Sequence, residues 1–220
     1  MLKKTLMISV VAATFQIGNA MAVDGLSANV GVVSDYYFRG VQQTASASAN
    51  GGIDYEHESG FYAGMWAADV EGQSGDPAPG IEIDTYLGFA GEVGDIGYSV
   101  GVTHYGYTGN FDTSYDEINL GASYGGFGAD FASGFHEVPG GTDEDYSYAA
   151  LSYGAGPMSV TYGSWGGDFA GNFLEVGLST DIGGAEAGVS VINGDPDDGA
   201  DNIMTDGTAL VFSLSKSFDL

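Results

Sequence analysis

This 220-residue sequence predicts an all-β protein, a transmembrane antiparallel up-and-down barrel of about 12 strands. Three observations carry that expectation. Apolar residues recur at every second position through most of the chain. The connections between those segments fall into a short set and a longer, polar set that largely alternate. An export signal opens the chain, and no apolar run long enough for a spanning helix follows it.

The export signal comes first. Lys3 and Lys4 form a positive n-region, residues 6–15 an apolar core, and Ala20-Met21-Ala22 the small-x-small site read by signal peptidase. Residues 1–22 are therefore expected to be a signal peptide and residues 23–220 the barrel domain. In the first strand, 26–38, Leu26, Ala28, Val30, Val32, Tyr36 and Phe38 share one face, opposite Asn29, Asp35 and Arg39. Over 44–57, Ala45, Ala47, Ala49, Ile53 and Tyr55 oppose Asp54 and Glu56. Ile81, Ile83, Leu87 and Phe89 oppose Glu82 and Asp84, and Ile118, Leu120, Ala122 and Tyr124 oppose Glu117. Leu174, Val176, Leu178 and Ile182 oppose Glu175 and Asp181. The segments 61–70, 96–107 and 145–153 are ambiguous because tyrosine occupies both parities. The stretches 127–136, 157–165, 185–192 and 207–220 are intermediate and complete the set.

Short connections are expected at 58–60, 91–95, 125–126, 154–157 and 183–184. Longer polar ones are expected at 71–80, 107–114, 137–145, 165–172 and 193–206, with a brief exception near residues 41–43. Short turns on one rim and longer loops on the other are the pattern of an outer-membrane barrel, the short side being periplasmic. Aromatics near strand ends (Tyr36, Phe38, Tyr55, Phe89, Tyr124, Phe135, Phe218) fit interfacial girdles. A strand with one lipid-facing side cannot leave an unpaired edge in hydrocarbon, so the sheet is expected to close.

Composition narrows the function. The formal charge is −26, and loss of Lys3 and Lys4 with the signal peptide takes it to −28, since residues 1–22 hold no acid. Only Arg39 and Lys216 stay basic, which excludes nucleic-acid binding. With no cysteine, disulfides, thiolate metal sites and a thiol nucleophile are excluded. If the apolar parity faces lipid, the lumen is lined by Asp35, Arg39, Asp54, Glu56, Glu82, Asp84, Glu117, Asp130, Glu175 and Glu186. One arginine cannot neutralise nine carboxylates, and dry, unpaired carboxylates are costly, so a wet, negative lumen is expected. Such a lumen concentrates cations. The expected function is passive diffusion of small solutes, cations preferred, through a porin-like channel in the cell outer membrane. The alternative is a structural or surface-interaction barrel with a plugged lumen, in which Arg39 is a structural partner for the acids. Twelve strands lie between filled eight-stranded barrels and open porins, so both readings stand.

The remaining features point to no chemistry. The acidic stretch 193–202 lacks the bidentate glutamate of an EF-hand and reads as a solvated loop, as does Asp143-Glu144-Asp145. His57, His104 and His136 have no metal-ligand spacing and no Gly-x-Ser-x-Gly elbow occurs, so no enzyme, metal or cofactor is expected. Lys216 falls on the outward parity of the last strand, where it can snorkel to the interface. The expected partners are outer-membrane lipid and lipopolysaccharide, small solutes, and the barrel-assembly machinery acting on the terminal strand.

Residues 26–44, LSANVGVVSDYYFRGVQQT, resemble the opening of the TorF-like porins, the Gcw_chp family of Gram-negative bacteria. The shared core is S-D-Y-x-F-R-G at 34–40. Further agreement lies in GFYAGMWAADV at 60–70, IEIDTYLGF at 81–89, HYGYTG at 104–109 and SLSKSF at 213–218. The resemblance implies an outer-membrane barrel of porin type and supplies no catalytic residues. Asp219-Leu220 after Phe218 departs from the more usual terminal phenylalanine.

Overall fold

The computed structural model describes residues 25–71, 79–196 and 201–220. The expected signal peptide, and Asp197 and Asp198 of the acidic stretch, lie outside these. The barrel strands are β1 (Leu26–Val33), β2 (Ser48–Glu56), β3 (Phe61–Val70), β4 (Gly80–Val93), β5 (Ile96–Tyr107) and β6 (Tyr115–Tyr124). They continue as β7 (Phe127–His136), β8 (Glu144–Ala155), β9 (Met158–Gly167), β10 (Phe169–Asp181), β11 (Glu186–Asp195) and β12 (Gly207–Asp219). Each pairs antiparallel with its neighbours in sequence. β1 closes on β12, from Ser27 opposite Asp219 to Val33 opposite Ser213. Closure gives every wall strand two partners, which is what a sheet facing hydrocarbon requires.

The outer wall is a band of exposed apolar side chains. Val30, Val32, Ile53, Met65, Leu87, Val100, Ile118, Leu120, Leu151, Leu174, Leu210 and Leu214 all face outward. An exposed apolar surface of this extent is the lipid-facing belt of a membrane-spanning barrel. Aromatic pairs border it near the short turns, with ring centroids 5.6 Å apart for Phe61 and Phe89 and 4.7 Å for Phe127 and Tyr153. Lys216 Nζ sits 5.4 Å from the centre of the Phe218 ring on the same rim, consistent with its outward parity. The short turns are tight, and the Gly125-Gly126 connection places Gly125 at φ +63°, where L side chains are disfavoured.

Three expectations need correction. The first strand does not run to residue 38. β1 ends at Val33, and residues 34–47 turn inward, with a small hairpin pairing Tyr37–Phe38 to Val41–Gln42. Tyr36 and Phe38 therefore pack inside the barrel rather than in a girdle. The expected long loop at 165–172 is a tight, structured connection, since the β9–β10 ladder runs up to Trp165 opposite Gly171. β9 and β10 run to within one residue of each other, joined through Asp168, whose N–H donates to Asp145 O at 2.8 Å. Conversely, the connection taken as brief near residues 41–43 is the 34–47 segment, and it carries a paired hairpin of its own.

Candidate lumenal constriction

Residues 34–47 build the site. Their base is fixed to the wall: the Ser34 amide donates to Phe212 O at 2.8 Å, and the Phe212 amide donates to Ser34 Oγ at 3.0 Å. Thr44 Oγ1 accepts from the Tyr36 amide at 2.9 Å and donates to Ser46 O at 2.7 Å, bending the returning chain. The tip is a two-residue turn with φ +48° at Arg39 and +82° at Gly40, the backbone of a type I′ hairpin. Glycine at 40 also fits because a Cβ there would lie 2.6 Å from the Phe173 ring on β10. The hairpin thus reaches from the β1–β12 side across the lumen to the β9–β10 wall.

Arg39 is held from every side. Its guanidinium donates Nη1 to Glu117 Oε2 at 2.9 Å and Nη2 to Glu117 Oε1 at 2.8 Å, a two-pronged ion pair. Its carbon centre lies 4.4 Å from the Tyr148 ring, 4.8 Å from Phe38 and 5.7 Å from Trp165. The Trp165 indole donates to Arg39 O at 3.1 Å. Glu117, 4% exposed, also accepts from Tyr105 OH at 2.7 Å, Tyr146 OH at 3.0 Å and Asn119 Nδ2. Tyr146 reaches Glu117 across β7 only because residue 134 is glycine, since a Cβ there would lie 2.9 Å from the Tyr146 ring. Around this pair, Tyr146, Tyr148, Trp165, Phe169, Phe173, Ile192 and Met204 form an apolar cluster inside the barrel. Phe38, Tyr37 and Val41 of the hairpin pack against it.

On the opposite flank Tyr36 OH donates to Glu82 Oε1 at 2.9 Å, and its ring meets Trp66 edge-on at 5.6 Å. Burial, then the carboxylates of Glu82 and Asp84, raise the Tyr36 phenol well above its usual range, so it stays a donor.

The sequence-derived lumen residues separate into groups. Glu82, Asp84 and Glu117 are buried around the hairpin. Asp54 lies lower on the inner wall, accepting from Tyr86 OH and from Asn29 Nδ2 at 3.3 Å. Asp130 and Glu175 are half-buried on inner parities of β7 and β10. Glu56 and Glu186 end and begin their strands at the short-turn rim, Glu56 exposed. Asp35 is half-buried where the chain leaves β1. Sequence reasoning missed the aromatic half of the site, Tyr105, Tyr146, Tyr148, Trp165 and Phe173. The available signal was aromatic residues on both parities of 96–107 and 145–153.

Two histidines have defined settings. His136 stacks on Tyr115 at 4.2 Å between Glu144 Oε2 (3.0 Å) and Asp112 Oδ1 (3.1 Å), tying the loop before β6 to β8. His104 lies on the outer face with Nδ1 2.8 Å from Asp116 Oδ1. Thr85 stands opposite it across the strand pair. Among the described residues no three His, Asp or Glu side chains gather as metal ligands.

No curated protein matches the sequence. Among solved structures, the outer membrane protein opdK of Pseudomonas aeruginosa is similar at 14% identity and TM-score 0.42, covering 89% of this chain and 67% of that one. The outer membrane phospholipase A of Escherichia coli is similar at 12% identity and TM-score 0.46, covering 89% and 96%. A family model described as a bacterial protein of unknown function (Gcw_chp) matches residues 19–161, a span that takes in the hairpin, Arg39 and Glu117, and the chain belongs to that family.

Proposed function

We propose that the protein is a narrow channel of the cell outer membrane, passing small solutes by diffusion and favouring cations, with the 34–47 hairpin as its constriction. The observation that carries this reading is the charge around the hairpin. Arg39 is the only Lys or Arg side chain inside the barrel among the described residues, and Glu117 already engages it. Asp54, Asp130 and Glu175 lie on the inner wall without a basic partner. Their field raises the local concentration of cations and lowers that of anions. The TorF-like porin resemblance of residues 26–44 is in keeping with this. So are the expected partners: lipid and lipopolysaccharide around the apolar belt, the assembly machinery at the last strand, and small solutes in the lumen. The proposal assigns no catalysis.

A second reading is favoured by the hairpin's own contacts. An ion pair, an indole hydrogen bond and an aromatic cluster hold it across the lumen, as in a plugged structural barrel. Planar-bilayer recordings of the refolded chain across a KCl gradient separate the two. The channel reading expects discrete openings and a reversal potential of cation sign. Silent bilayers would overturn it in favour of the plug, and an anion-selective potential would overturn its cation preference.

A further inference from the structure

Three carboxylates meet the hairpin, and one guanidinium faces them. Glu117 takes both prongs of Arg39 and three further donors. Glu82 and Asp84, two residues apart on the inner parity of β4, are treated differently. Glu82 Oε1 accepts from Tyr36, but no protein donor reaches Glu82 Oε2 or Asp84 Oδ1. Both side chains are deep in the protein, at 1% and 6% exposure. A buried carboxylate oxygen without a donor loses its solvation and gains nothing in return, so an ionised pair here calls for a counter-ion. Arg39 spends both prongs of its guanidinium on Glu117 and makes no ion pair with either carboxylate.

The surroundings indicate which counter-charge fits. The walls are the ring of Tyr36, Trp66 beside it, and Tyr105 and Tyr107, which stand opposite Asp84 and Glu82 on β5. The donor atoms are hard oxygens, from two carboxylates and one phenol, which suit alkali and alkaline-earth cations and not soft metals. Calcium and magnesium take six or more oxygen ligands, from several carboxylates or from waters the ion retains. Both carboxylates are buried, and no third acidic or histidine ligand joins the pair among the described residues.

We propose that Glu82 and Asp84 bind one dehydrated alkali-metal cation beside the Tyr36 hydroxyl, at the level of the hairpin. Its place on a conduction path rests on the channel reading; the binding itself does not. Bound there, the cation neutralises charge that the hairpin leaves uncompensated, so it stabilises the seated hairpin.

Thermal unfolding of the full chain in detergent tests this. Sodium chloride is compared with N-methyl-D-glucamine chloride at equal ionic strength, so that screening of the acidic surface is matched. A ligand that binds only the folded state raises the midpoint, here by about 3 °C in sodium. E82Q and D84N are expected to lose that gain, while D130N, an acid on another part of the inner wall, keeps it. Equal midpoints in the two salts for the wild-type chain would overturn the proposal without recourse to any variant. So would a sodium gain undiminished in E82Q and D84N, or a larger gain from dilute calcium than from sodium. Because the readout is stability and not current, its failure is distinct from failure of the channel reading.

Discussion

The two halves of the lumen are built from the same alternating strands and filled in opposite ways. Toward the longer loops the inner parity carries Tyr105, Tyr146, Tyr148, Trp165 and Phe173, and the hairpin packs among them. Toward the short turns the inner parity carries glycine beside serine on adjacent strands. Gly128 faces Ser152, Gly177 faces Ser159 and Gly188 faces Ser213, with acids interspersed. A barrel of about twelve strands is too wide for wall side chains alone to fill. Large residues and an inserted hairpin fill one end, and small residues fill less of the other. Burial follows: Glu82 and Glu117 are buried in the filled half, and Asp130 and Glu175 only half-buried in the open one. An acid in the first half therefore needs a partner more than an acid in the second does.

Substitutions on the two sides of that divide should behave differently. The largest effect is expected for Arg39→Ala, which strands Glu117 without its cation; breaking a buried pair in this way costs about 3–5 kcal/mol. Much of that cost is relieved if the hairpin leaves the lumen. The variant should thus gain a chymotrypsin cut after Tyr37 or Phe38 on whole cells, where the wild type resists. An uncut variant would show that the ion pair does not seat the hairpin. Glu117→Gln keeps the shape and removes the charge, and is expected to cost about 2–3 kcal/mol by urea unfolding, since the bonds lost are charge-assisted. Trp165→Phe deletes the indole donor to Arg39 O while keeping an aromatic ring, and should cost about 1 kcal/mol in the same titration. Asp130→Asn lies in the open half and should change stability by less than about 0.5 kcal/mol. A large loss there would erase the distinction between the halves.

How much of this was legible in the sequence follows from the same physics. Period two exposes any strand with one apolar face, so the cleanly alternating wall strands and the inward parity of Asp54, Glu82, Asp84, Glu117 and Glu175 could be read directly, while the tyrosine-rich segments 61–70, 96–107 and 145–153 were ambiguous in parity. The hairpin could not, because Tyr36 and Phe38 continue the parity set by Val30 and Val32 after the chain has left the wall. Nothing in the alternation marks Ser34 as the exit. The local clue was Arg39-Gly40, a pair able to adopt positive φ, and that clue is weak without the aromatic cluster that receives it. That cluster was hidden because aromatics on both parities blur the alternation that makes a strand readable, as in β5 and β8. The connection at 165–172 was read as too long for a related reason: Gly166, Gly167, Asp168 and Gly171 look like an open loop, whereas the β9–β10 ladder runs up to Trp165 and Gly171, and Gly167 takes φ +88° in the tight turn between them. Glu144 was read as solvated, and it pairs with His136, a contact between strand ends that no local pattern reveals.

The central claim is that the hairpin is seated in the lumen by Arg39. Solvent exchange of the Trp165 indole N–H tests it most directly, because that proton is donated to Arg39 O. With only two tryptophans in the chain, the two indole resonances are assigned by a single substitution. The account predicts slow exchange for Trp165 in the wild-type protein and fast exchange in Arg39→Ala. Exchange that is fast in both proteins would contradict it.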